Sequence, residues 1–208
     1  MRESNRVALK EWAVVVQALA KGEQIFLLRK GGIAEEEGEF RLAAREFFLY
    51  PTGEHQQEAW IRQAHHRWLQ PQYAAAWRGP VFPSLADAPQ GAELSLEHYA
   101  AVTDVWPAPE LARMKQLADA FVWNDAFLEK RYAYKPHLPL AVLVVRTYRL
   151  PQPLRLPYLD RYAGCRSWVE LAEALPTRGA APVLDDAEFE RRRSALRDFL
   201  VGSVVSRG

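Results

Sequence analysis

Sulfur is scarce in this sequence: one cysteine and two methionines among 208 residues. The lone thiol, Cys165, excludes an internal disulfide and any cysteine-rich zinc site; a buried structural thiol is its ordinary role. Neither sign of charge is in excess, since 27 Lys and Arg face 26 Asp and Glu for a net charge of +1. That balance excludes a polyanion-attracting field spread over the whole surface, while leaving room for a local basic patch. Lysine is rare, 6 residues against 21 arginines. Long apolar runs are missing as well, for none approaches the ~20 residues that a membrane span requires. Met1 to Arg6 is polar and lacks the apolar stretch and small-residue cleavage site of a signal peptide, so the cytoplasm is the expected address. The five histidines include no pair four residues apart, and adjacent His65 and His66 point to different sides of a helix. No metal site and no cofactor are expected from this set.

What is present is a well-stocked core. Hydrophobic residues make up 49% and charged residues 25%, near the averages of globular proteins, so a chain of this size needs no staple. The spacing Leu9, Trp12, Val16, Leu19 predicts a helix over 7–20, although Val14-Val15-Val16 also suits a strand, and Gly22 reads as the stop. Gln24 to Lys30 predicts a short buried strand, and Phe47 to Tyr50 a second one closed by Pro51. Residues 54–69 read as helix, and 71–91, with Pro71, Pro80, Pro83 and Pro89, as a long loop. A strand over 94–106 and a helix opened by Pro109-Glu110 follow, then the most strand-like segment, 138–150. Ser167-Trp168-Val169-Glu170 has the spacing of a capping box and predicts a helix to about Leu175. Asp185 and Glu188 open a last amphipathic helix with Phe189, Leu196 and Leu200 on one side. Helices and strands mix without strict βαβ alternation, so the expected class is α+β with a mainly antiparallel sheet. The expected division is one domain over 1–175 and, over 176–208, a linker with a helical appendage.

Catalytic motifs are hard to find. A restriction-type nuclease needs a Glu-x-Lys to hold Mg²⁺ and orient water, and no Glu-x-Lys exists here. Only a degenerate metal site, built from Glu39, Glu46, Glu54 and Lys30, is compatible with that chemistry. Gly31-Gly32 lacks the further glycine and the Lys-Ser/Thr pair of a phosphate-cradling loop, and no Gly-x-Ser-x-Gly turn is present.

Several unusual strings occur in order: Leu9-Lys10-Glu11-Trp12-Ala13; Leu28 to Ile33; Phe47 to Thr52 with Glu54-His55-Gln56; and Gly164-Cys165 with Ser167-Trp168. On these the chain resembles an uncharacterised bacterial family, domain of unknown function 1802, over roughly 7–175. Some relatives are joined to restriction-endonuclease-like domains, which implies a DNA-related setting. A second likeness rests on Gly22, Gln24 and Arg29. Their spacing is similar to the Gly-x-Lys-x-x-Glu-x-Arg motif of the ASCH group of PUA-like β-barrels, with Gln24 in the place of the Lys and Leu27 in that of the Glu. This resemblance implies a PUA-like barrel with flanking helices, and RNA or modified DNA as the partner.

For such a partner the candidate binding residues are Arg29, Lys30, Gly31 and Gly32 at the end of the early strand, then Tyr50, His55, Gln56 and Arg146. The cations are suited to phosphates and Tyr50, Tyr148 and Trp123 to stacking. The bland alternative is that Arg29 is paired with Glu35, Glu36 or Glu37 and that the aromatics are core. A third reading, from another class, is an interaction protein whose last helix docks a partner through Phe189, Leu196 and Leu200.

Overall fold

The computed structural model describes residues 2–30, 42–53, 55–69, 93–162 and 167–201. Its frame is a pair of long strands, β4 (Glu93–Pro107) and β5 (Ala141–Pro157), antiparallel along nearly their whole length. The β-branched run Val142 to Val145 is fully buried, as expected of a strand covered on both faces. Register shifts at Leu96/His98 and Val102/Asp104 mark bulges, which add twist and coil the ribbon. Around this pair lie β1 (Ser4–Trp12), β2 (Phe26–Arg29), β3 (Glu46–Thr52), β6 (Trp168–Pro176) and β7 (Ala181–Pro182). The seven-stranded sheet has the order β2-β5-β4-β3-β1-β6, with β7 beside β5. Only β1 and β3 pair in parallel, so the class is α+β and mainly antiparallel, as the sequence predicts. Among the described residues the sheet stays open between β2 and β6, so these strands alone close no barrel.

Several segments differ from the expected elements. Residues 7–20 are not one helix: β1 runs to Trp12 and helix α1 covers Ala13–Ala20. β1 lies between β3 and β6 and is buried on both faces through Ala8, Leu9, Lys10 and Glu11, while α1 is buried all round except at Gln17. Two-sided burial erases both the period of two and the period of 3.6. The capping-box segment is strand β6, not helix. Its Val169 and Leu171 point inward, Glu170 and Ala172 outward, and it pairs with β1 at Val7↔Glu170 and Leu9↔Trp168. The free edge of β1 thus overrides the good helix propensity of Leu171 to Leu175. Residues 55–69, expected within one helix, hold two 3-10 turns, Glu58–Trp60 and Gln63–Leu69, because Ile61 is extended and bridges to Trp123. The Pro109-Glu110 helix is short, α2 (Leu111–Lys115), and an unanticipated helix α3 (Asp125–Ala133) follows, capped by Asn124 through its bond from the Phe127 amide (3.1 Å). The expected loop 71–91 lies outside the described residues.

The last helix, α4 (Asp186–Val201), starts where the sequence places it, with Asp185 Oδ1 accepting from the Glu188 amide at 2.8 Å. Its Phe189 and Leu196 are buried in the same large core as α1, β2 and β5. A second, smaller core holds Phe48, Tyr50, Tyr99 and Tyr162. Gly22, after α1, has φ +69, and a Cβ there would meet Leu184 at 2.5 Å, so both backbone and packing demand glycine. No helix among the described residues is long and apolar enough to cross a membrane.

Candidate nucleic-acid interface

The parallel pairing of β1 with β3 brings Trp12 level with Thr52, so these strands end side by side. β2 ends beside them at Arg29, and α3 lies over the gap: Lys30 Nζ donates to the Tyr132 carbonyl (2.8 Å). A cavity of about 250 Å³ results, with Glu11, Trp12, Arg29, Thr52, Trp123 and Arg131 among its lining. A neighbouring cavity of about 390 Å³ shares Trp12, Arg29 and Arg131 with it and adds Lys30, Trp60, Lys130 and Tyr134. Leu28 and Trp123, which line the first, are buried, whereas Lys130 and Tyr134, which line the second, are exposed.

Among the described residues the charges that line this cleft do not cancel. Arg29 Nη2 sits 2.8 Å from Glu11 Oε2 and also donates to the Lys10 carbonyl (3.1 Å). Among the described residues Arg131 has a single long contact, 3.5 Å, to the Leu28 carbonyl. The buried Nε atoms of Arg29 and Arg131 make no hydrogen bond among the described residues. Burial, then the neighbouring Arg29 guanidinium, pushes Arg131 below the ordinary arginine value. Burial, then Arg131, lowers the Lys30 ammonium in the same way. Buried cations that repel one another are relieved by an anion, and each unmade donor costs about 1–3 kcal/mol.

Aromatic rings form the walls. Trp12 and Trp60 are stacked (centroids 5.9 Å apart, 14° between planes), and Trp123 and Phe127 likewise (5.4 Å, 14°). Lys130 Nζ lies 4.1 Å from the Trp60 ring centre, a cation–π contact on the exposed side of the second cavity. Cations beside flat apolar faces suit a ligand with phosphates and rings.

Of the sequence-predicted residues, Arg29, Lys30 and His55 meet here; His55 sits in a left-handed turn (φ 60). Gln56 serves the scaffold, its Oε1 accepting from the Val14 amide at the start of α1 (3.1 Å). Tyr50 is buried in the smaller core, off the cleft, with Lys10 Nζ 5.6 Å from its ring centre. Arg146 lies on the α4 side, ion-paired to Asp186 and packed over Phe189. Tyr148, expected to stack, is beside it. Trp123 does line the first cavity. Gly31, Gly32, Glu35, Glu36 and Glu37 lie outside the described residues, as do Gly164 and Cys165. Gln24, which takes the place of the lysine in the ASCH-type motif, is buried and bonds Phe26 and Val122 backbone.

For the metal-site reading, Glu39 and Glu54 lie outside the described residues. Glu46 stands at the far end of β3 from the cleft, six residues or about 20 Å from Thr52. There it accepts from Tyr99 Oη (3.0 Å) and the Arg2 amide (2.8 Å), away from Lys30. Among the described residues no group of three His, Cys, Asp or Glu is placed to hold a metal.

Sequence reasoning missed Glu11, Arg131, Lys130 and Trp60. A signal existed for Arg131: it stands one helical turn after Phe127, on the same face. Glu11 sits in the Leu9-to-Ala13 string but meets Arg29 only through the sheet.

Comparison with known proteins gives three results. The model of domain of unknown function 1802 matches residues 8–195. No curated protein matches. A crystal structure of a ZmASCH variant from Zymomonas mobilis aligns over 94% of this chain and 99% of its own, at 9% identity and a TM-score of 0.40.

Proposed function

The chain belongs to the family called domain of unknown function 1802, and since that membership carries no activity, we propose from the cleft itself that the protein is a nucleic-acid-binding module for RNA or modified DNA. The observation that carries this reading is the convergence of Arg29, Lys30, Lys130 and Arg131 with Trp12 and Trp60 in one concavity, with Glu11 the one carboxylate lining it among the described residues. Phosphates provide the missing negative charge, and bases provide faces for Trp60 and Trp12. Four cations at one cleft give a local field that the balanced net charge hides.

Fluorescence anisotropy with single-stranded RNA and DNA 15-mers tests it, comparing the natural chain with Trp60→Ala. Loss of one stacked base weakens binding by about 1–3 kcal/mol, or roughly 5- to 150-fold. Equal affinity of the two proteins, or no binding by either, overturns the proposal.

A further inference from the structure

The rings that line the cleft are not equally open. Among the described residues, Trp12, Trp60, Phe127 and Tyr134 are the Trp, Phe and Tyr side chains around the second cavity. The first three pack on one another, with centroids 5.1 to 6.2 Å apart. Tyr134 has no ring against it among the described residues and is 51% exposed. Only two other large hydrophobic residues are exposed in the described chain, Val105 and Val201. A single exposed aromatic needs no explanation by itself. What sets Tyr134 apart is its company.

Tyr134 caps the C-terminal end of α3, where its amide donates to the Lys130 carbonyl at 3.0 Å. Lys130 stands four residues before it and Arg131 three, so both lie on its side of the helix. Exposed Lys135 follows, its Nζ 5.7 Å from the Tyr134 ring centre and its backbone left-handed at φ 43. Only glycine takes up that conformation freely, and among the described residues His55 and Lys135 are the two others that adopt it. His55 lines both cavities and Lys135 adjoins a residue that lines the second, so both flank this cleft. Backbone strain of this kind gathers at ligand sites. The helix dipole is reason enough for cations at the end of α3, Lys130 and Arg131. It gives no reason for an exposed ring, or for a strained lysine beyond the helix.

We propose that Tyr134 is a stacking platform for an unpaired base, with Lys135 on the adjoining phosphate, so that the bound strand leaves the cleft over the end of α3. Inside a duplex the bases cover one another; an unpaired base of any kind offers its face to a ring. This rests on the nucleic-acid reading and narrows it to strands with unpaired bases.

Anisotropy titrations with a single-stranded 12-mer, as RNA and as DNA, test it from 50 to 200 mM salt. They compare the natural chain with Tyr134→Ala, Tyr134→Phe and Lys135→Gln, and the natural chain also receives the fully paired duplex. Tyr134→Ala weakens binding by about 5- to 150-fold, the worth of one stacked base, and keeps the salt slope because no phosphate contact is lost. Tyr134→Phe stays within about twofold of the natural chain, since the ring and not the hydroxyl stacks. Lys135→Gln lowers the slope by about 0.7, one phosphate of a single strand. The duplex binds at least about tenfold more weakly, for it offers Tyr134 no open face.

Tyr134→Ala binding like the natural chain overturns the platform and leaves the nucleic-acid reading standing. A slope lost together with the affinity does the same, because the ring then acts by holding cations. So does a phenylalanine variant as weak as the alanine one, because the hydroxyl is then the contact. An unchanged slope in Lys135→Gln removes the phosphate contact, and a duplex bound as tightly as the single strand removes the unpaired base. A natural chain that binds neither strand overturns both readings. The duplex comparison uses the natural chain alone, so it decides even if the alanine variant fails to fold.

Discussion

Arginines on the two flanks of the sheet live under different rules. On the α4 side Arg146 and each arginine of the helix itself have a carboxylate. Arg193 forks onto Asp104 (2.5 and 2.7 Å) and reaches Glu190, Arg191 and Arg192 share Glu188, and Arg146 takes Asp186. The two partners of Glu188 hold its carboxyl down at about 2. On the cleft side Arg29, Lys30 and Arg131 have Glu11 alone among the described residues. The first flank fastens a helix to the sheet; the second leaves positive charge uncompensated among the described residues. Counting cations does not separate the two. Counting their partners does.

The largest expected effect is on Glu11, the one carboxylate that lines the cleft among the described residues. Glu11→Gln leaves buried Arg29, with half-buried Arg131 beside it, without its carboxylate and lowers stability by about 3–5 kcal/mol in urea denaturation. A loss under about 1 kcal/mol would mean that the cleft is wet enough to screen its charges, which removes the contrast. Next comes Phe189→Ala on the opposite flank, which removes a buried ring and costs about 3 kcal/mol. A negligible cost would show that α4 is not fastened to the core at all.

Arg193→Gln has a smaller effect, about 1 kcal/mol, because its pair with Asp104 is only partly buried. It also changes the acid limb. Hydrogen bonds from Arg193 hold the Asp104 carboxyl below its ordinary value. The stability this gives is fully present above the unfolded carboxylate value near 4 and is lost as the pH falls through the lower folded value. Stability measured from pH 5 to pH 2 therefore falls less steeply in Arg193→Gln; an unchanged slope would contradict the pairing. The smallest effect belongs to Arg146→Ala, which shifts stability by no more than about 1 kcal/mol and leaves nucleic-acid affinity as it was. If affinity drops, the binding surface extends to the α4 flank and the two regions are one.

The sheet was legible where a run alternated, as in β4, was rich in β-branched residues, as in β5, or was a short apolar stretch closed by turn residues or proline, as in β2 and β3, and β5 simply runs on past Leu150 to Pro157. β1 and α1 did not, because both are buried on all sides and keep no period. β6 misled because Ser167 to Glu170 is a good local helix start, while its actual fate depends on an edge of β1 more than 150 residues earlier in the chain. The site followed the same logic. Arg29 and Lys30 stood out as cations closing a buried strand. Glu11 did not, for its pairing with Arg29 exists only once the strands are side by side. α3 buries just Leu128, so no apolar stripe flagged the helix that brings Arg131.

Whether the cleft's surplus cations meet phosphate is decided by the salt dependence of binding. Affinity for a single-stranded RNA is measured from 50 to 300 mM salt for the natural chain and for the double variant Lys130→Gln/Arg131→Gln. If the cations contact phosphates, log affinity falls linearly with log salt, at about 0.7 per phosphate contacted, and the double variant loses up to about 1.4 of that slope. The same slope and the same affinity in both proteins would show that these cations are not the ones that bind.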